Sequence, residues 1–499
     1  MEAFIENGIY ISALCGGRGK CGKCGIRILE GEINETDSDR QVFSQEELEN
    51  GCRLSCTASP KTDVKLILLS EDESGFEILS EYRNESSPEH KENANGYGIA
   101  VDVGTTTLAG MLISLSDGKC IASTTAINRQ RAYGADVISR ILASNQGKGG
   151  ELQNSIRSDL QQLVRTLLIK SSIDSNSVKK VCISGNTTMG HLLMGYSCET
   201  LGVVPFTPVN INTVTESFEE IIGGGILDCP ATILPGISTF VGGDIVSGLL
   251  ACGFDRSSKI SLLVDLGTNG EMALGNRDRI MVTSAAAGPA FEGGNISCGT
   301  GSIQGAICNV DILEGKPHLK TIGDKSPVGI CGTGVIETVS EFLKEEIIDE
   351  TGLLDDEYVD SGYLLASSDD GREIRFTQKD VREIQLAKSA IRAGIETIIL
   401  RYGISYDDID SVYLAGGFGY RVDTEKAAAI GLLPGKLLPK IIPAGNTSLK
   451  GALEYLMTDH GADRLAYMIS RSEETGLSTD KSFNELYIQH MLFGNDCIR

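Results

Sequence analysis

The sequence predicts a small α+β domain at the N-terminus, followed by an α/β region that consists of two related lobes. Three observations predict this division. Five cysteines fall between residues 15 and 56, short β-branched runs alternate with amphipathic helices from Tyr97 onward, and one strand-and-turn motif occurs twice. A chain of 499 residues has the length of about two to four ordinary domains.

The boundaries follow from changes in composition along the chain. We expect an N-terminal domain over 1–70, a linker over 71–97, a first lobe over 98–255 and a second lobe over 256–499. The linker segment contains eight acidic residues and little apolar content, which is typical of a flexible, self-repelling connection. Apolar residues at helical spacing predict helices over about 151–172 and 380–402, and alternation predicts a strand over 63–68.

The overall charge excludes several classes of partner. Lys plus Arg is 44 and Asp plus Glu is 68, so the net charge is −24. Such a chain is repelled by a phosphate backbone, and we therefore expect neither a nucleic acid nor a membrane as its partner. It contains no run of about 18 apolar residues, and residues 1–6 lack the basic residues of a signal peptide. We expect a soluble, cytoplasmic protein.

The cysteines near the N-terminus have the spacing of an iron–sulfur site. Cys15, Cys21 and Cys24 form a C-x₅-C-x₂-C loop, and two later thiols follow at Cys52 and Cys56. Three ligands from one loop and a fourth from elsewhere suit a [2Fe–2S] cluster, and the surrounding glycines let the backbone curl around it. Zinc sites usually pair two short C-x₂-C units or use histidine, and no histidine lies in the first 89 residues. Both Cys52 and Cys56 are candidates for the fourth ligand.

Residues 52–56 resemble the last-ligand region of [2Fe–2S] ferredoxins, in which the ligand follows an Arg-Leu-small triplet. This resemblance implies Cys15, Cys21, Cys24 and Cys56 as the ligands, in a ferredoxin-like β-grasp domain. A β-grasp fold normally begins with a β-hairpin that is not present here. Either the sequence starts late, or the domain lacks that hairpin and has an unpaired sheet edge.

Two Asp-x-Gly-Thr turns predict a nucleotide site. Asp102 and Asp265 each end an apolar run, and the second motif follows the first by 163 residues, which indicates a duplicated lobe. Glycine lets the chain turn close to phosphates, while N–H groups and hydroxyls donate to them. The aspartate can hold Mg²⁺ through water or orient an attacking water. The candidate phosphate ligands are Gly104, Thr105, Thr106, Gly267, Thr268 and Asn269.

Three more glycine-containing turns follow apolar runs in the same region. They are Gly185-Asn186-Thr187, Cys331-Gly332-Thr333-Gly334, and Gly416-Gly417-Phe418-Gly419. In this order the five segments resemble the ASKHA superfamily of acetate and sugar kinases, heat-shock chaperones and actin. The resemblance implies actin-like, duplicated ribonuclease-H-like lobes that bind ATP. Gly185, Asn186 and Thr187 then belong to the first connecting motif, and Gly416, Gly417 and Gly419 to the adenosine pocket.

The combination resembles the reductive activators of corrinoid proteins. Further segments that carry this resemblance are 133–137, 241–244, 287–293 and 443–447. It implies an ATP-dependent transfer of one electron from the [2Fe–2S] cluster to inactive Co(II) corrinoid, which restores Co(I) for methyl transfer. It implies as partners a corrinoid protein of a methyltransferase system and an upstream low-potential electron donor. Asp102 and Asp265 would position Mg²⁺ and water, and a homodimer is left open.

Three alternatives remain at this point. The chain could be a small-molecule kinase of the ASKHA type, a simple electron carrier, or an ATP-dependent activator of another low-potential enzyme such as a radical dehydratase. The last class places a [4Fe–4S] cluster between subunits, whereas four cysteines are clustered in this single chain. For Asp244 and Glu271 the sequence is equally compatible with a role as ligands of Mg²⁺ or water and with a role as solvated or helix-capping residues. The loop 287–293 faces either the nucleotide or the partner.

Overall fold

The computed structural model describes residues 3, 4, 11, 19, 22, 24–69, 95–369, 371–416 and 422–494. Four of the predicted site residues, Cys15, Cys21, Gly417 and Gly419, lie outside this set, as does most of the predicted linker. In the part of the chain that is described, no helix is both long and apolar enough to cross a membrane.

The N-terminal domain is built around a short antiparallel sheet. Its elements are β1 (Gly25–Glu30), α1 (Asp37–Val42), α2 (Gln45–Glu49), β2 (Cys52–Leu54) and β3 (Lys65–Leu68). The strand β1 lies in the centre, between β2 and β3. Both helices begin with a capping box, and the Asp39 carboxylate of α1 also accepts a hydrogen bond from the Leu54 N–H at 2.7 Å. This bond fixes the helix to β2, immediately before Cys56.

The first lobe is a six-stranded sheet with helices on both sides. Its elements are β4 (Tyr97–Val103), β5 (Thr107–Ser114), β6 (Cys120–Ile127), α3 (Val137–Ala143), α4 (Gly149–Ser171), β7 (Val178–Gly185), α5 (Thr187–Met194), β8 (Val214–Ser217), α6 (Phe218–Ile221), β9 (Pro230–Ile233) and α7 (Gly243–Ala251). The strand order is β6-β5-β4-β7-β9-β8. Central strand β4 is buried along most of its length, which explains its continuous apolar run. It begins at Tyr97, the last residue of the predicted linker.

The second lobe has the same kind of sheet and carries a larger insertion. Its elements are β10 (Ile260–Leu266), β11 (Gly270–Gly275), β12 (Ile280–Ala285), β13 (Ala306–Leu313), β14 (Lys316–Thr321), β15 (Gly329–Ile330), α8 (Gly332–Lys344), β16 (Tyr363–Ser367), β17 (Glu373–Phe376), α9 (Gln378–Tyr402), β18 (Ile409–Ala415), α10 (Thr424–Ala429), β19 (Ile441–Gly445), α11 (Thr447–Met457), α12 (Gly461–Ser470), β20 (Ser472–Glu474) and α13 (Lys481–Gln489). The main sheet has the order β19-β18-β10-β11-β12-β20. The predicted helices over 151–172 and 380–402 are confirmed as α4 and α9.

The two main sheets share one topology. In each, the first three strands are antiparallel neighbours, and two later strands add in parallel on the other side of the first: β6-β5-β4-β7-β9 and β12-β11-β10-β18-β19. The two Asp-x-Gly-Thr turns connect equivalent strands, β4 to β5 and β10 to β11. The duplication predicted from the sequence motif is therefore confirmed as a duplication of the fold.

Equivalent helices from the two lobes pack against each other. Helix α7 follows β9, helix α11 follows β19, and the two are in direct contact. A Cβ atom at Gly451 would lie 1.9 Å from the carbonyl oxygen of Ser247, so only glycine permits this approach. Helix α11 also packs on β4 and β7 of the first lobe. Helix α11 belongs to the second lobe by its place in the sequence, but it contributes directly to the core of the first lobe.

Candidate functional site

The two predicted phosphate loops meet at a single carboxylate. The hydroxyl of Thr106, in the β4–β5 turn, donates to Oε2 of Glu292 at 2.9 Å. The hydroxyl of Thr268, in the β10–β11 turn, donates to the same oxygen at 2.8 Å. Because the two turns come from different lobes, this oxygen joins the lobes, and we refer to the region where the two loops meet as the cleft.

The first loop is held rigidly from behind. The Gly104 N–H donates to the carbonyl of Thr107 at 3.0 Å and closes a tight turn. The buried guanidinium of Arg140 donates to the carbonyl of Thr105 at 2.5 Å, and the Asn186 amide donates to the Thr105 hydroxyl at 3.0 Å. Asn186 thereby connects this loop to helix α5, which it also caps through Met189 N–H. The predicted residues 104–106 and 186 are thus brought together.

The remaining glycines and Thr187 hold the strand ends close to one another. A Cβ atom at Gly185 would lie 2.6 Å from the carbonyl of Val103, so β7 passes the first loop without room for a side chain. At Gly416 the backbone has a φ of +104°, and a Cβ atom would lie 2.2 Å from the carbonyl of Leu266. The Thr187 hydroxyl donates to the carbonyl of Ser238 at 2.7 Å. That hydroxyl is therefore engaged within the protein.

The second loop turns in the same way as the first. The Gly267 N–H donates to the carbonyl of Asn269 at 3.0 Å, directly after Asp265 at the end of β10. The side chain of Asn269 also hydrogen-bonds Glu271 on β11. The predicted residues 265 and 267–269 therefore lie beside one another on the second lobe's side of the cleft.

Asp102 is fully engaged by hydrogen bonds from the other lobe. The Asn446 amide donates to its Oδ2 at 2.7 Å, and the Ser448 hydroxyl donates to its Oδ1 at 2.6 Å. Burial raises the pKa of Asp102, and these two hydrogen bonds oppose that rise. The hydroxyl oxygen of Ser448 also lies 2.9 Å from that of Ser184, which extends the network into the lobe interface.

Asp265 has a very different environment. Burial and the charges of Asp244 and Asp102 raise the pKa of Asp265 to about 8. Burial, together with neighbouring carboxylates, also raises the pKa of Asp244 and that of Glu271. Burial likewise raises the pKa of Glu292, although the two threonine hydroxyls oppose the rise. The surroundings of Asp265 are consequently a group of acidic side chains, contributed by both lobes, that favours a cation or protons.

This acidic group fits a magnesium ion that is completed by other ligands. Among the described residues, no three His, Cys, Asp or Glu side chains are arranged to hold a metal ion. Mg²⁺ commonly binds through one or two carboxylates and fills its remaining positions with water and substrate phosphate. The carboxylates of Asp265, Asp244 and Glu271 supply oxygen ligands of this kind. We conclude that they fit Mg²⁺ bound together with a phosphate, rather than in an all-protein cage.

Two of the predicted cluster cysteines are in contact. The Cys56 thiol donates a hydrogen bond to Cys24, and this bond is the main reason why the pKa of Cys24 falls to about 6. The two segments are also joined by a bond of 2.9 Å from the Ser55 N–H to the Cys24 carbonyl. Cys52 is buried on β2, and burial raises its pKa. The structure thus brings Cys56, rather than Cys52, to the thiol of Cys24.

The chain around these cysteines passes close to helix α1. Gly19 and Gly22 have φ values of +67° and +74°, and Cβ atoms there would lie 2.5 Å from Ser38 Oγ and 2.9 Å from Val42 Cγ1. The tight path and the adjacent thiols of Cys24 and Cys56 fit a [2Fe–2S] cluster, whose ligands are cysteine thiolates.

Sequence reasoning missed several residues of the site. Asn446 and Ser448 hold Asp102, Arg140 supports the first loop, and Glu292 joins both loops. The sequence did contain a signal for Asn446 and Ser448. They lie at the start of α11, at the positions that Gly242 and Asp244 occupy at the start of the equivalent helix α7. Glu292 lies in the segment 287–293 that the resemblance singled out, but nothing in the sequence indicated its contact with Thr106, which is 186 residues away.

Comparisons with known proteins cover nearly the whole chain. Residues 1–61 match the family described as the 2Fe-2S iron-sulfur cluster binding domain, residues 97–257 match the RACo middle region, and residues 259–498 match the C-terminal domain of RACo, the ASKHA domain. The corrinoid activation enzyme RamQ of Eubacterium limosum is 28% identical over 580 aligned positions, which cover 98% of this chain and 95% of RamQ.

Two further relatives agree with this assignment. The Co(II) methylated amine-specific corrinoid protein reductase of Methanosarcina barkeri is 29% identical, over 79% of this chain and 76% of its own length. A solved structure named a reductive activator for a corrinoid, iron-sulfur protein matches with a TM-score of 0.74 and 28% identity, over 99% of this chain and 95% of its own. From the matching domains, the relatives and the shared architecture we conclude that this chain belongs to the family of reductive activators of corrinoid proteins.

Proposed function

We propose that this chain reactivates a corrinoid protein by an ATP-dependent one-electron reduction. The observation that carries the proposal is the presence in one chain of two opposed phosphate loops, joined at Glu292, and of paired thiols at Cys24 and Cys56. The substrate is a corrinoid protein with cobalt in the Co(II) state, and the product is Co(I). An upstream low-potential donor returns the electron that is used.

The proposed cluster ligands are Cys15, Cys21, Cys24 and Cys56. When bound, the reduced [2Fe–2S] cluster supplies the single electron that converts Co(II) to Co(I). The protein's own contribution is to fix two ligands from different segments: Cys24 is 1% exposed, and the Ser55 N–H bond holds the Cys56 segment against it. Gly19 and Gly22 have positive φ values and lie close to Ser38 and Val42 of helix α1.

The proposed nucleotide site uses both loops. Thr105 and Thr106 from the first lobe, and Thr268 and Asn269 from the second, donate to phosphate oxygens of ATP, while Gly104 and Gly267 close the two turns that line the phosphates. Asp265 holds Mg²⁺ or orients the attacking water, with Asp244 and Glu271 beside it, whereas Asp102 positions the first loop against α11. We assign Gly416, Gly417 and Gly419 to the proposed adenosine pocket.

ATP is needed because the electron moves uphill. For one electron, every 59 mV of unfavourable potential lowers the equilibrium constant tenfold, which is about 1.4 kcal/mol. A nucleotide between two lobes can offset this cost if it changes the affinity of the protein for the oxidised and reduced partner. The packed helices α7 and α11 connect the cleft with both lobes and so provide a route for such a change.

The central test follows cobalt directly. We expect the reduced protein to convert a Co(II) corrinoid protein to Co(I) with MgATP at least tenfold faster than without it, as measured from the absorbance of the corrinoid. Equal rates with and without MgATP would contradict the proposed coupling.

A matched pair of cysteine variants tests the ligand set. Cys56→Ser should remove the visible absorbance of the reconstituted cluster, or shift it strongly, because a thiolate next to Cys24 is lost. Cys52→Ser should keep the spectrum, because this thiol is buried on β2 away from that pair. The opposite result would assign the fourth ligand to Cys52.

A further inference from the structure

Glu292 occupies the donors that the two loops would otherwise direct at phosphate. One oxygen of its carboxylate accepts from the hydroxyls of Thr106 and Thr268 at 2.9 and 2.8 Å. The backbone N–H of Thr268 adds a further hydrogen bond that favours the charged carboxylate. A carboxylate and a phosphate oxygen cannot take these donors together, because they would share the same space and carry like charge.

The segment that carries Glu292 is anchored firmly in the second lobe. Phe291 has no exposed surface, and its carbonyl lies so close to the start of α8 that a Cβ atom at Gly332 would be 1.7 Å away. The segment is bounded by Gly288 and Gly293, both with φ near +80°. An anchored backbone keeps the carboxylate near the cleft, so the side chain alone must move when the donors change partner.

The bond from Thr106 to Glu292 joins the first lobe to the second. A phosphate that accepts from both threonines would make the same connection between the lobes. The buried guanidinium of Arg140, which holds the neighbouring Thr105 carbonyl, stabilises the negative charge of Glu292. The free and the nucleotide-bound protein therefore differ in the group that joins the loops, which is the Glu292 carboxylate in one and a phosphate in the other. The positions of the loops are the same in both.

We propose that Glu292 is a positioning residue that holds the two phosphate loops in register and competes with the nucleotide phosphate for Thr106 and Thr268. This inference rests on the proposed function, because it concerns the same cleft. It predicts that Glu292 lowers the affinity for nucleotide, and that binding exchanges one connection between the lobes for another. Loss of this carboxylate should strengthen nucleotide binding, whereas loss of an ordinary phosphate or magnesium ligand weakens it.

The test measures nucleotide affinity of the full chain by titration calorimetry with MgATP and MgADP. We expect Glu292→Ala to bind both about tenfold more tightly than the unchanged protein, and Glu292→Gln, which keeps an uncharged acceptor, to lie between them. Glu383→Gln is the matched control. Its carboxylate accepts from Asn295 at 3.1 Å close to the same segment, and it should leave the affinity unchanged.

A double-mutant cycle separates competition from a general structural effect. Thr106→Val removes a hydroxyl that would donate to the phosphate and that donates to Glu292 in the unchanged protein. It should therefore weaken MgATP binding at least threefold more in the Glu292→Ala background than in the unchanged protein. If Glu292 affects only folding, Thr106→Val should weaken MgATP binding by the same factor in both backgrounds.

The outcomes are distinguishable. If the Glu292→Ala and Glu292→Gln proteins have an unaltered thermal midpoint but bind MgATP no more tightly than the unchanged protein, the competition is wrong. Weaker binding in both would make Glu292 an ordinary ligand. If Glu292→Ala fails to fold, the isosteric Glu292→Gln variant decides by the same criterion. If the unchanged protein binds no adenine nucleotide, the proposed function fails, and this inference fails with it.

Discussion

The two lobes place the same motif at the same point of the same topology and give it different surroundings. At the end of β4, Asp102 accepts hydrogen bonds from Asn446 and Ser448. At the end of β10, the equivalent Asp265 faces Asp244, at the position that Ser448 occupies on the equivalent helix. A neutral donor in one half is thus replaced by a carboxylate in the other.

This difference indicates that the two equivalent aspartates have different roles in the duplicated lobes. A carboxylate with two good donors is satisfied without a ligand and acts as a fixed connection between the lobes. Two or three neighbouring carboxylates with raised pKa values are stabilised when a cation or protons arrive. From their sequence motifs Asp102 and Asp265 have the same expected role, whereas the geometry favours Asp265 for magnesium and water and Asp102 for the connection between the lobes.

The largest effect should come from Asp265→Asn. We expect ATP hydrolysis to fall about 100-fold or more, which is typical of losing a group that acts on the attacking water. Asp102→Asn should reduce it by about tenfold or less, because an amide still offers an acceptor to Asn446 or Ser448. Phosphate release under saturating MgATP measures both. Equal losses in the two variants would remove the asymmetry between the lobes.

The sequence was sufficient for the parts of this comparison that depend on local pattern. The repeated motif around Asp102 and Asp265 predicted the duplication, because a strand that ends in Gly-Thr has a recognisable local form. The helices over 151–172 and 380–402 were predicted from apolar spacing and occur almost at those boundaries. The ferredoxin-type and ASKHA assignments were also confirmed, since both rest on short motifs in a fixed order.

The asymmetry itself could not be predicted, because it depends on contacts between distant segments. Asn446 lies 344 residues from Asp102, and nothing near either residue specifies the pairing. The cysteine spacing alone left Cys52 and Cys56 open, whereas the resemblance to ferredoxins implied Cys56, whose thiol hydrogen-bonds that of Cys24. Helix α11 packs on both lobes, so a boundary drawn along the chain does not separate the lobes in space.

The next largest effect concerns stability. Asp102→Ala leaves the Asn446 amide and the Ser448 hydroxyl without their acceptor at a buried interface. We expect the free energy of unfolding to fall by about 2 kcal/mol, because unsatisfied buried donors cost about 1–3 kcal/mol. Urea denaturation measures the change. A fall of similar size in Asp265→Ala would contradict the comparison, since removing that charge relieves repulsion.

The pH dependence of stability should also separate the two halves. The pKa of Asp265 is raised to about 8 in the folded chain, against about 3.9 when unfolded. At this group the folded state therefore binds more protons between these values, and the contribution of Asp265 to stability decreases as pH rises from about 4 to 8. In a metal-chelating buffer, Asp265→Asn should flatten this slope, by less than about 1.4 kcal/mol per pH unit. An unchanged slope in Asp265→Asn would mean that Asp265 is not the titrating group. In the unchanged protein, added Mg²⁺ should also flatten the dependence of stability on pH.

The smallest effect, and the most direct probe of the duplication, is expected from Asp244→Ser. This substitution gives the second half the hydroxyl that Ser448 supplies to the first, so Asp265 exchanges a repelling neighbour for a donor. We expect the free energy of unfolding to rise by about 1 kcal/mol, which is the net value of one hydrogen bond, while ATP hydrolysis falls. The reciprocal Ser448→Asp should destabilise the chain, because it places a second carboxylate against Asp102. If both variants shift stability in the same direction, the two halves are not equivalent sites with exchanged neighbours, and the acidic group around Asp265 is maintained by contacts other than the helix start at 242–244.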